Sequence, residues 1–80
     1  MKNLIVVTGG LGFIGSNLIE LLIKKKFNVL NIDNKSYSSN IYNTKSYYKN
    51  LKYFFEECDL NNQTKLSKII FKYKPICIFN

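Results

Sequence analysis

The sequence predicts an α/β protein in which about four parallel strands form one sheet with flanking helices. Short apolar runs alternate with segments whose apolar residues recur at helical spacing. This alternation is typical of strand and helix units joined by right-handed crossovers. In addition, a glycine-rich loop connects the first apolar run to the first helical segment. The 80 residues allow one small domain with a modest core.

The first half of the chain provides two strands and one helix. Residues 4–7, LIVV, form an apolar run without polar alternation, which is typical of a strand buried on both faces of a parallel sheet. Between Phe13 and Lys25 the apolar residues recur at helical spacing, with polar residues on the other side, so a helix is predicted there. NVLNID, residues 28–33, is the second predicted strand.

The second half continues the alternation after a connection rich in Ser, Asn and Tyr with weak periodicity. KYFFEE, residues 52–57, is the third predicted strand, and the spacing predicts a helix over 62–73 that Pro75 ends. ICIF, residues 76–79, is predicted as a fourth buried strand. In the usual strand order it forms an apolar edge beside the first strand, and such an edge promotes aggregation. We therefore expect the isolated chain to be poorly soluble or molten.

Composition limits the classes of partner. The chain is 46% apolar, which indicates a packed core, and its net charge of +7 raises nucleic acid and anionic membranes as partners. Every basic residue is lysine, however, and apart from Lys24–Lys26 the lysines are scattered. Because base readout and bidentate phosphate contacts normally use arginine, we expect no nucleic-acid partner.

The cysteines and the amino terminus are equally restrictive. Cys58 and Cys77 are isolated and the chain has no histidine, so no metal site is expected, and both cysteines are interpreted as buried thiols. Residues 1–7 hold only four consecutive apolar residues, too few for a signal-peptide core or a membrane span. We expect a protein of the reducing cytoplasm that does not contact membranes.

The glycine-rich loop is the strongest functional signal. In VVTGGLGFIGSNL, residues 6–18, Gly10, Gly12 and Gly15 fit the pattern GxGxxG, while Gly9, Gly12 and Gly15 fit GxxGxxG. Either match alone is weak. Here a buried strand precedes the loop, an amphipathic helix begins inside it, and an acidic residue ends the second strand, which together predict a dinucleotide-binding fingerprint.

Each glycine has a physical role in this interpretation. One permits the tight turn off the strand, one lets a pyrophosphate approach the backbone, and Gly15 lets the helix pack close to the sheet. The N–H groups at the start of the helix near Phe13 then face the diphosphate. The alternative is a tight turn that binds no ligand, although turn chemistry alone rarely uses so many glycines at these offsets.

Two aspartates follow strands and are candidates for adenosine contacts. Asp33 is placed to accept hydrogen bonds from ribose hydroxyls, and its charge would repel a 2′-phosphate, so we expect NAD rather than NADP. Lys35 lies close enough in sequence to soften that discrimination. Asp59 follows the third strand, where it either serves an adenine pocket or caps the next helix, and the residues alone leave both roles open.

These motifs resemble those of a known family. VTGGLGFIGSNL is similar to the nucleotide-binding loop of extended short-chain dehydrogenases/reductases that act on nucleotide sugars. NIDNKSYSSN, YFFEECDLNN and IIFKYKPICIFN narrow the resemblance to the dTDP-glucose 4,6-dehydratases, and it spans essentially the whole chain. Related epimerases and UDP-sugar decarboxylases share the loop and an Asp-Asn pair, so they stay open as alternatives, as does a stand-alone nucleotide-binding module.

The resemblance implies a Rossmann-type sheet that is incomplete in residues 1–80, with NAD as the cofactor. It assigns cofactor contacts to Gly9, Gly12 and Gly15 and to two groups of other residues: Phe13 and Ile14 at the pyrophosphate, and Asp33, Asn34, Lys35, Ser36, Asp59 and Leu60 around the adenosine. The family usually has Lys and then Leu or Phe after the aspartate. Asn34 and Lys35 depart from that pattern.

The resemblance also implies a reaction. Dehydratases of this family oxidise the sugar C4 hydroxyl with NAD, eliminate water across C5 and C6, and return hydride to C6. The family's Tyr-x-x-x-Lys pair, its Ser or Thr and its Asp-Glu pair lie after the fourth strand, as does the domain that binds the nucleotide sugar. We therefore expect no catalytic residue and no substrate domain in residues 1–80, no activity from them alone, and a homodimer for the complete enzyme.

A second Tyr-x-x-x-Lys match lies within the chain. Tyr48 and Lys52 have the required spacing, but they precede the third strand, on the adenosine side of the predicted sheet. A general base must lie within reach of the proton that it removes. We therefore interpret both residues as surface packing rather than as catalytic groups.

Overall fold

The structure is a computed structural model that describes residues 1–34 and 45–79. Within those ranges the chain forms a sheet and two helices in the predicted order: β1 (Leu4–Thr8), α1 (Phe13–Lys24), β2 (Asn28–Asp33), β3 (Tyr53–Glu57), α2 (Gln63–Tyr73) and β4 (Cys77–Phe79). The strands pair in parallel in the order β3-β2-β1-β4. The predicted α/β class, with four parallel strands and two helices, is confirmed.

The element bounds differ from the predicted ones by at most one residue at each end. β2 has its predicted bounds, and α1 begins at Phe13 as predicted but ends at Lys24. α2 begins one residue later than predicted because Asn62 is its N-cap, with a side chain that accepts a hydrogen bond from the Lys65 N–H at 3.1 Å. α2 ends at Tyr73, and its C-cap Lys74 adopts a left-handed conformation one position before the proline that was expected to stop the helix.

The core lies on both faces of the sheet, because successive strand residues point to opposite faces. Nearly all residues of β1 and β2 are buried, on both faces of the sheet. The layer under α1 contains Ile5, Val7, Ile19, Leu22, Ile23, Val29 and Tyr47. The layer on the α2 side contains Leu4, Val6, Leu30, Ile32, Cys58 and Ile69. Neither described helix has the length and apolar character needed to cross a membrane.

β4 corrects the prediction of a fourth buried strand. Its three residues are all exposed, and so is Ile76 before it. The physical reason is its position: β4 is an edge strand that pairs with β1, so its outer edge has no neighbouring strand among the described residues. The interpretation of both cysteines as buried thiols holds for Cys58 and is wrong for Cys77, which lies on this exposed edge.

Candidate functional site

The loop between β1 and α1 turns sharply at the carboxyl end of the sheet. Gly9 has φ +70°, in the left-handed region that favours glycine. Its N–H donates to the Ile32 carbonyl at 2.9 Å, which ties the loop to β2. The Gly12 N–H then donates to the Gly9 carbonyl at 3.1 Å. The chain thus leaves β1 and enters α1 within a few residues.

The first turn of α1 is open. Gly12 is its N-cap and makes no side-chain capping bond, and the first turn contains no acidic residue. The Ser16 N–H donates to the Gly12 carbonyl at 2.9 Å, so the N–H groups of the three residues before Ser16 have no acceptor within the helix. The side chains of Phe13 and Ile14 are 73% and 83% exposed. The positive end of α1 is therefore accessible to an anion.

Two loop glycines differ in what surrounds them. A Cβ on Gly15 would lie 2.6 Å from the Gly9 carbonyl oxygen and 2.9 Å from Gly10 Cα, too close for any side chain. Gly15 therefore lets α1 pack against the loop backbone itself. A Cβ on Gly12 would meet only the Gly9 oxygen, at 3.4 Å. The space around Gly12 is open, so a ligand can approach its backbone.

β2 holds the loop through two buried polar side chains. Asp33 is 7% exposed, and its Oδ2 accepts a hydrogen bond from the Leu11 N–H at 3.0 Å. Asn31 is fully buried, and its Oδ1 accepts from the Gly10 N–H at 2.9 Å. The sequence singled out Asp33 but not its contact with the loop, and it missed Asn31. The sequence signal that could have identified Asn31 is its position as a polar residue inside the otherwise apolar run VLNI.

A third polar group joins this arrangement from β3. Asn31 Nδ2 donates to the Tyr53 hydroxyl at 3.0 Å. Burial raises the pKa of Tyr53, the Asn31 hydrogen bond opposes that rise, and the Asp33 charge adds to it. The Tyr53 ring meets the buried Tyr47 ring edge to face, with centroids 4.9 Å apart. The loop is therefore connected through β2 to β3.

A cleft of about 260 Å³ opens at the carboxyl ends of β2 and β3. It brings together five of the predicted contact residues, and its lining is Gly9, Ile32, Asp33, Asn34, Cys58, Asp59, Leu60 and Asn61. Asp59 Oδ1 accepts from the Asn61 N–H at 2.9 Å. Because Asn62 caps α2, the alternative in which Asp59 caps that helix is wrong.

The remaining predicted residues lie elsewhere. Lys35 and Ser36, and most of the connection predicted as irregular, are outside the described residues. Tyr48 and Lys52 precede β3, at the opposite end of that strand from the cleft, and Tyr48 is exposed. In residues 1–34 and 45–79, no three His, Cys, Asp or Glu side chains come together as a metal site.

Comparison with known proteins finds enzymes that act on nucleotide sugars. The model of the GDP-mannose 4,6 dehydratase family matches residues 6–80. The chain is 31% identical over 80 residues to dTDP-glucose 4,6-dehydratase of Neisseria gonorrhoeae, covering 99% of this chain and 23% of that protein. It is 36% identical over 77 residues to the Haemophilus influenzae dTDP-glucose 4,6-dehydratase, covering 95% and 23%.

Solved structures give the same picture. The dTDP-glucose 4,6-dehydratase of Bacillus anthracis, in complex with NAD, superposes with a TM-score of 0.87 at 32% identity, over 94% of this chain and 25% of that one. UDP-glucose 4-epimerase of Thermotoga maritima, with UDP-glucose, gives 0.79 at 31% identity, over 94% and 22%. This chain thus spans about a quarter of the length of these relatives. The resemblance found in the sequence is confirmed: the chain belongs to the GDP-mannose 4,6 dehydratase family.

Proposed function

We propose that this chain is the amino-terminal, NAD-binding portion of a nucleotide-sugar enzyme similar to dTDP-glucose 4,6-dehydratase. The observation that carries the proposal is the open N-terminus of α1 beside a cleft lined by two aspartates. Glycine-rich turns that present helix N–H groups bind diphosphates without a charged side chain. The NAD complex of the related Bacillus anthracis enzyme supports the same assignment.

The loop fits the diphosphate half of NAD. Gly9 makes the turn, and Gly12 leaves room for the phosphates. The N–H groups of Phe13 and Ile14 then donate to phosphate oxygens at the positive end of α1. Gly15 keeps the helix seated against the loop, so that these donors are held in place before the ligand binds.

The cleft fits the adenosine half. We assign the ribose hydroxyls to the Asp33 carboxylate, with Asn34, Lys35 and Ser36 nearby in sequence. Asp59 and Leu60, on the far wall of the cleft, border the adenine. A carboxylate at the ribose accepts hydrogen bonds from both hydroxyls and repels a 2′-phosphate, which favours NAD over NADP.

The reaction is proposed for a longer protein. Bound NAD supplies a hydride acceptor for oxidation of the sugar C4 hydroxyl, while residues of this chain bind and orient the adenosine and diphosphate. We infer that water loss across C5 and C6 needs residues outside 1–80, and that these 80 residues alone are inactive. For the longer enzyme we propose dTDP-glucose as substrate, a homodimer as the assembly and the cytoplasm as the compartment.

Ligand binding by the chain tests the cofactor assignment. NAD and NADP are titrated against the wild type and Asp33→Asn, with ligand-observed NMR at low protein concentration and circular dichroism as the check that each variant is folded. We expect the wild type to bind NAD at least tenfold more tightly than NADP, and Asp33→Asn to reduce that ratio because the amide removes the charge repulsion.

Glu20→Gln is the matched control for that test. It also removes one negative charge, but Glu20 lies on α1, where it pairs with Lys24 at 3.7 Å. The control should keep the wild-type preference for NAD. A folded wild-type chain that binds neither dinucleotide overturns the proposed function.

A second substrate class is favoured by one observation. The Thermotoga maritima epimerase is about as similar to this chain as the dehydratases are. An epimerase shares the NAD site, so binding by residues 1–80 does not separate the two. Turnover by the complete gene product does: conversion of dTDP-glucose to its 4-keto-6-deoxy derivative, with the nucleotide still attached, supports the dehydratase, and interconversion of UDP-glucose and UDP-galactose supports the epimerase.

A further inference from the structure

We propose that Asn31 is a positioning residue that fixes the glycine-rich loop for diphosphate binding. The inference rests on the proposed function and deepens it, because it names a side chain that does not touch the cofactor but sets where the cofactor's donors lie. Asn31 lies at the centre of β2, fully buried between Leu30 and Ile32. A buried amide is unfavourable unless its hydrogen bonds are satisfied.

The contacts of Asn31 fix the orientation of its amide. The Gly10 N–H can only donate, so the oxygen of Asn31 must face the loop, at 2.9 Å. The amide nitrogen then faces the Tyr53 hydroxyl at 3.0 Å. An apolar side chain at position 31 would leave the Gly10 N–H buried and without an acceptor.

The loop is also seated directly on this side chain. A Cβ on Gly10 would clash with Asn31 Oδ1 and with the end of Ile19, so the backbone of Gly10 fills the space between them. Gly10 is thus glycine because of a tertiary contact, whereas Gly9 is glycine because of its φ angle.

β2 holds the loop at two successive positions. Asn31 and Asp33 are two residues apart, so they face the same side of the sheet. They accept from the N–H groups of Gly10 and Leu11, respectively. The next residue, Gly12, is the N-cap of α1. The two bonds therefore set the position of the helix N-terminus that presents donors to the diphosphate, which links a buried strand residue to ligand affinity.

The test compares Asn31→Leu with Asn28→Leu. Asn28 is the first residue of the same strand, at the end far from the loop. Its side chain also makes a hydrogen bond to the backbone, donating to the Lys2 carbonyl at 2.8 Å. Each variant is titrated with ADP-ribose, which carries the diphosphate, and with adenosine, which does not. Amide exchange of Gly10 is followed by NMR in the absence of ligand.

We expect Asn31→Leu to weaken ADP-ribose binding about tenfold, the effect of one buried hydrogen bond, and to leave adenosine binding unchanged. Its Gly10 amide should exchange faster, while Asn28→Leu changes neither quantity. A residue with a structural role alone would lower stability without this split between the two ligands. Equal ADP-ribose affinity in wild type and folded Asn31→Leu overturns the inference.

Tyr53→Phe covers the case in which Asn31→Leu does not fold. It keeps Asn31 and removes only the hydroxyl that accepts a hydrogen bond from the Asn31 amide nitrogen. We expect about threefold weaker ADP-ribose binding and faster Gly10 exchange, and an unchanged result for both overturns the inference. If the folded wild type binds no ADP-ribose at all, the proposed function fails instead, so the two failures are distinct.

Discussion

Two regions of this molecule invert the usual relation between polarity and burial. At the carboxyl end of β2, Asn31 and Asp33 are polar yet only 0% and 7% exposed. Along β4 and the outer surface of α2, Ile78 and Phe71 are apolar yet 49% and 78% exposed. We call the first region the loop anchor, Asn31, Asp33 and Tyr53, and the second the apolar edge, Phe71, Ile76, Ile78 and Phe79.

The buried polar residues and the exposed apolar residues have different physical consequences. The loop anchor adds little net stability, because its hydrogen bonds mainly offset the cost of burying polar groups. What it determines is where the glycine-rich loop lies. The apolar edge makes no such set of hydrogen bonds. Exposed apolar side chains on a strand whose outer edge has no neighbour among the described residues are a site for association. We propose that the first region specifies a binding site, and we expect the second to make the chain prone to associate.

The largest expected effect is at the apolar edge. Phe71→Lys combined with Ile78→Lys should raise the soluble concentration of the chain by about tenfold or more, because lysine on an edge strand blocks strand addition and breaks the apolar surface. Sedimentation velocity over a concentration series measures this. The wild type should self-associate or precipitate over the same range.

Leu21→Lys is the control for added charge. Leu21 is half-exposed on α1, away from β4, so this variant should associate much as the wild type does. A wild-type chain that is monomeric and unfolds sharply would contradict the importance assigned to the apolar edge. The double lysine variant also provides a soluble background in which the stability effects below can be measured.

The next effect separates two glycines in the site. Gly15→Ala should lower the free energy of unfolding by about 1–3 kcal/mol and abolish measurable NAD binding, since its Cβ would overlap the loop backbone. Gly12→Ala should keep wild-type stability within about 0.5 kcal/mol and still weaken NAD binding strongly, because its methyl group enters the open space assigned to the phosphates.

Urea unfolding followed by circular dichroism, together with NAD titration, checks this pair. A Gly12→Ala chain that binds NAD as tightly as the wild type would remove Gly12 from the phosphate site. A Gly15→Ala chain of unchanged stability would show that α1 shifts without cost, in which case the close packing of helix and loop is not needed.

The comparison also shows how far the sequence predicts this structure. Periodicity located every described element because strands and helices are local patterns, and the glycines placed the start of α1 at Phe13. Burial of β4 was predicted wrongly, since apolar composition alone does not say what packs against a strand. Edge and central strands of similar composition differ only in their neighbours.

The site was predicted in part for the same reason. Asp33 and Asp59 were predicted because the first ends a strand and the second follows one, and parallel strands bring their carboxyl ends together at one cleft. The hydrogen bond from the Gly10 N–H to Asn31 Oδ1 joins residues 21 positions apart and depends on the register of β1 and β2. No local pattern encodes that register, so the contact of Asn31 with the loop could be identified only from the structure.

Alkaline pH should weaken the fold through the tyrosines around the loop anchor. Burial raises the pKa of Tyr47 far above the ordinary value of 10.0, and the nearby Tyr53 and Glu20 charges add to the rise. Burial is also the main cause of the raised pKa of Tyr53. Above pH 10 the unfolded chain loses tyrosine protons that the folded chain retains, so the free energy of unfolding falls as pH rises.

The expected slope from Tyr47 is on the order of 1 kcal/mol per pH unit, with full stability retained below pH 10. Urea unfolding at several pH values between about 9 and 11.5 measures it. Tyr47→Phe should reduce the slope, whereas Tyr48→Phe, at an exposed ring, is the matched control and should not. An equal slope in wild type and Tyr47→Phe would show that Tyr47 does not stay protonated in the fold.

The smallest effect compares the two tyrosine hydroxyls at neutral pH. The Tyr53 hydroxyl accepts from Asn31, so Tyr53→Phe should lower the free energy of unfolding by about 1 kcal/mol by leaving a buried amide N–H unsatisfied. The Tyr47 hydroxyl is buried without a hydrogen-bond partner among the described residues. Tyr47→Phe should therefore be neutral or stabilise the chain by up to about 1 kcal/mol. Opposite signs for two rings that touch each other would show that hydrogen-bond partners decide stability in the loop anchor, whereas a loss in both variants would assign the Tyr47 hydroxyl a partner of its own.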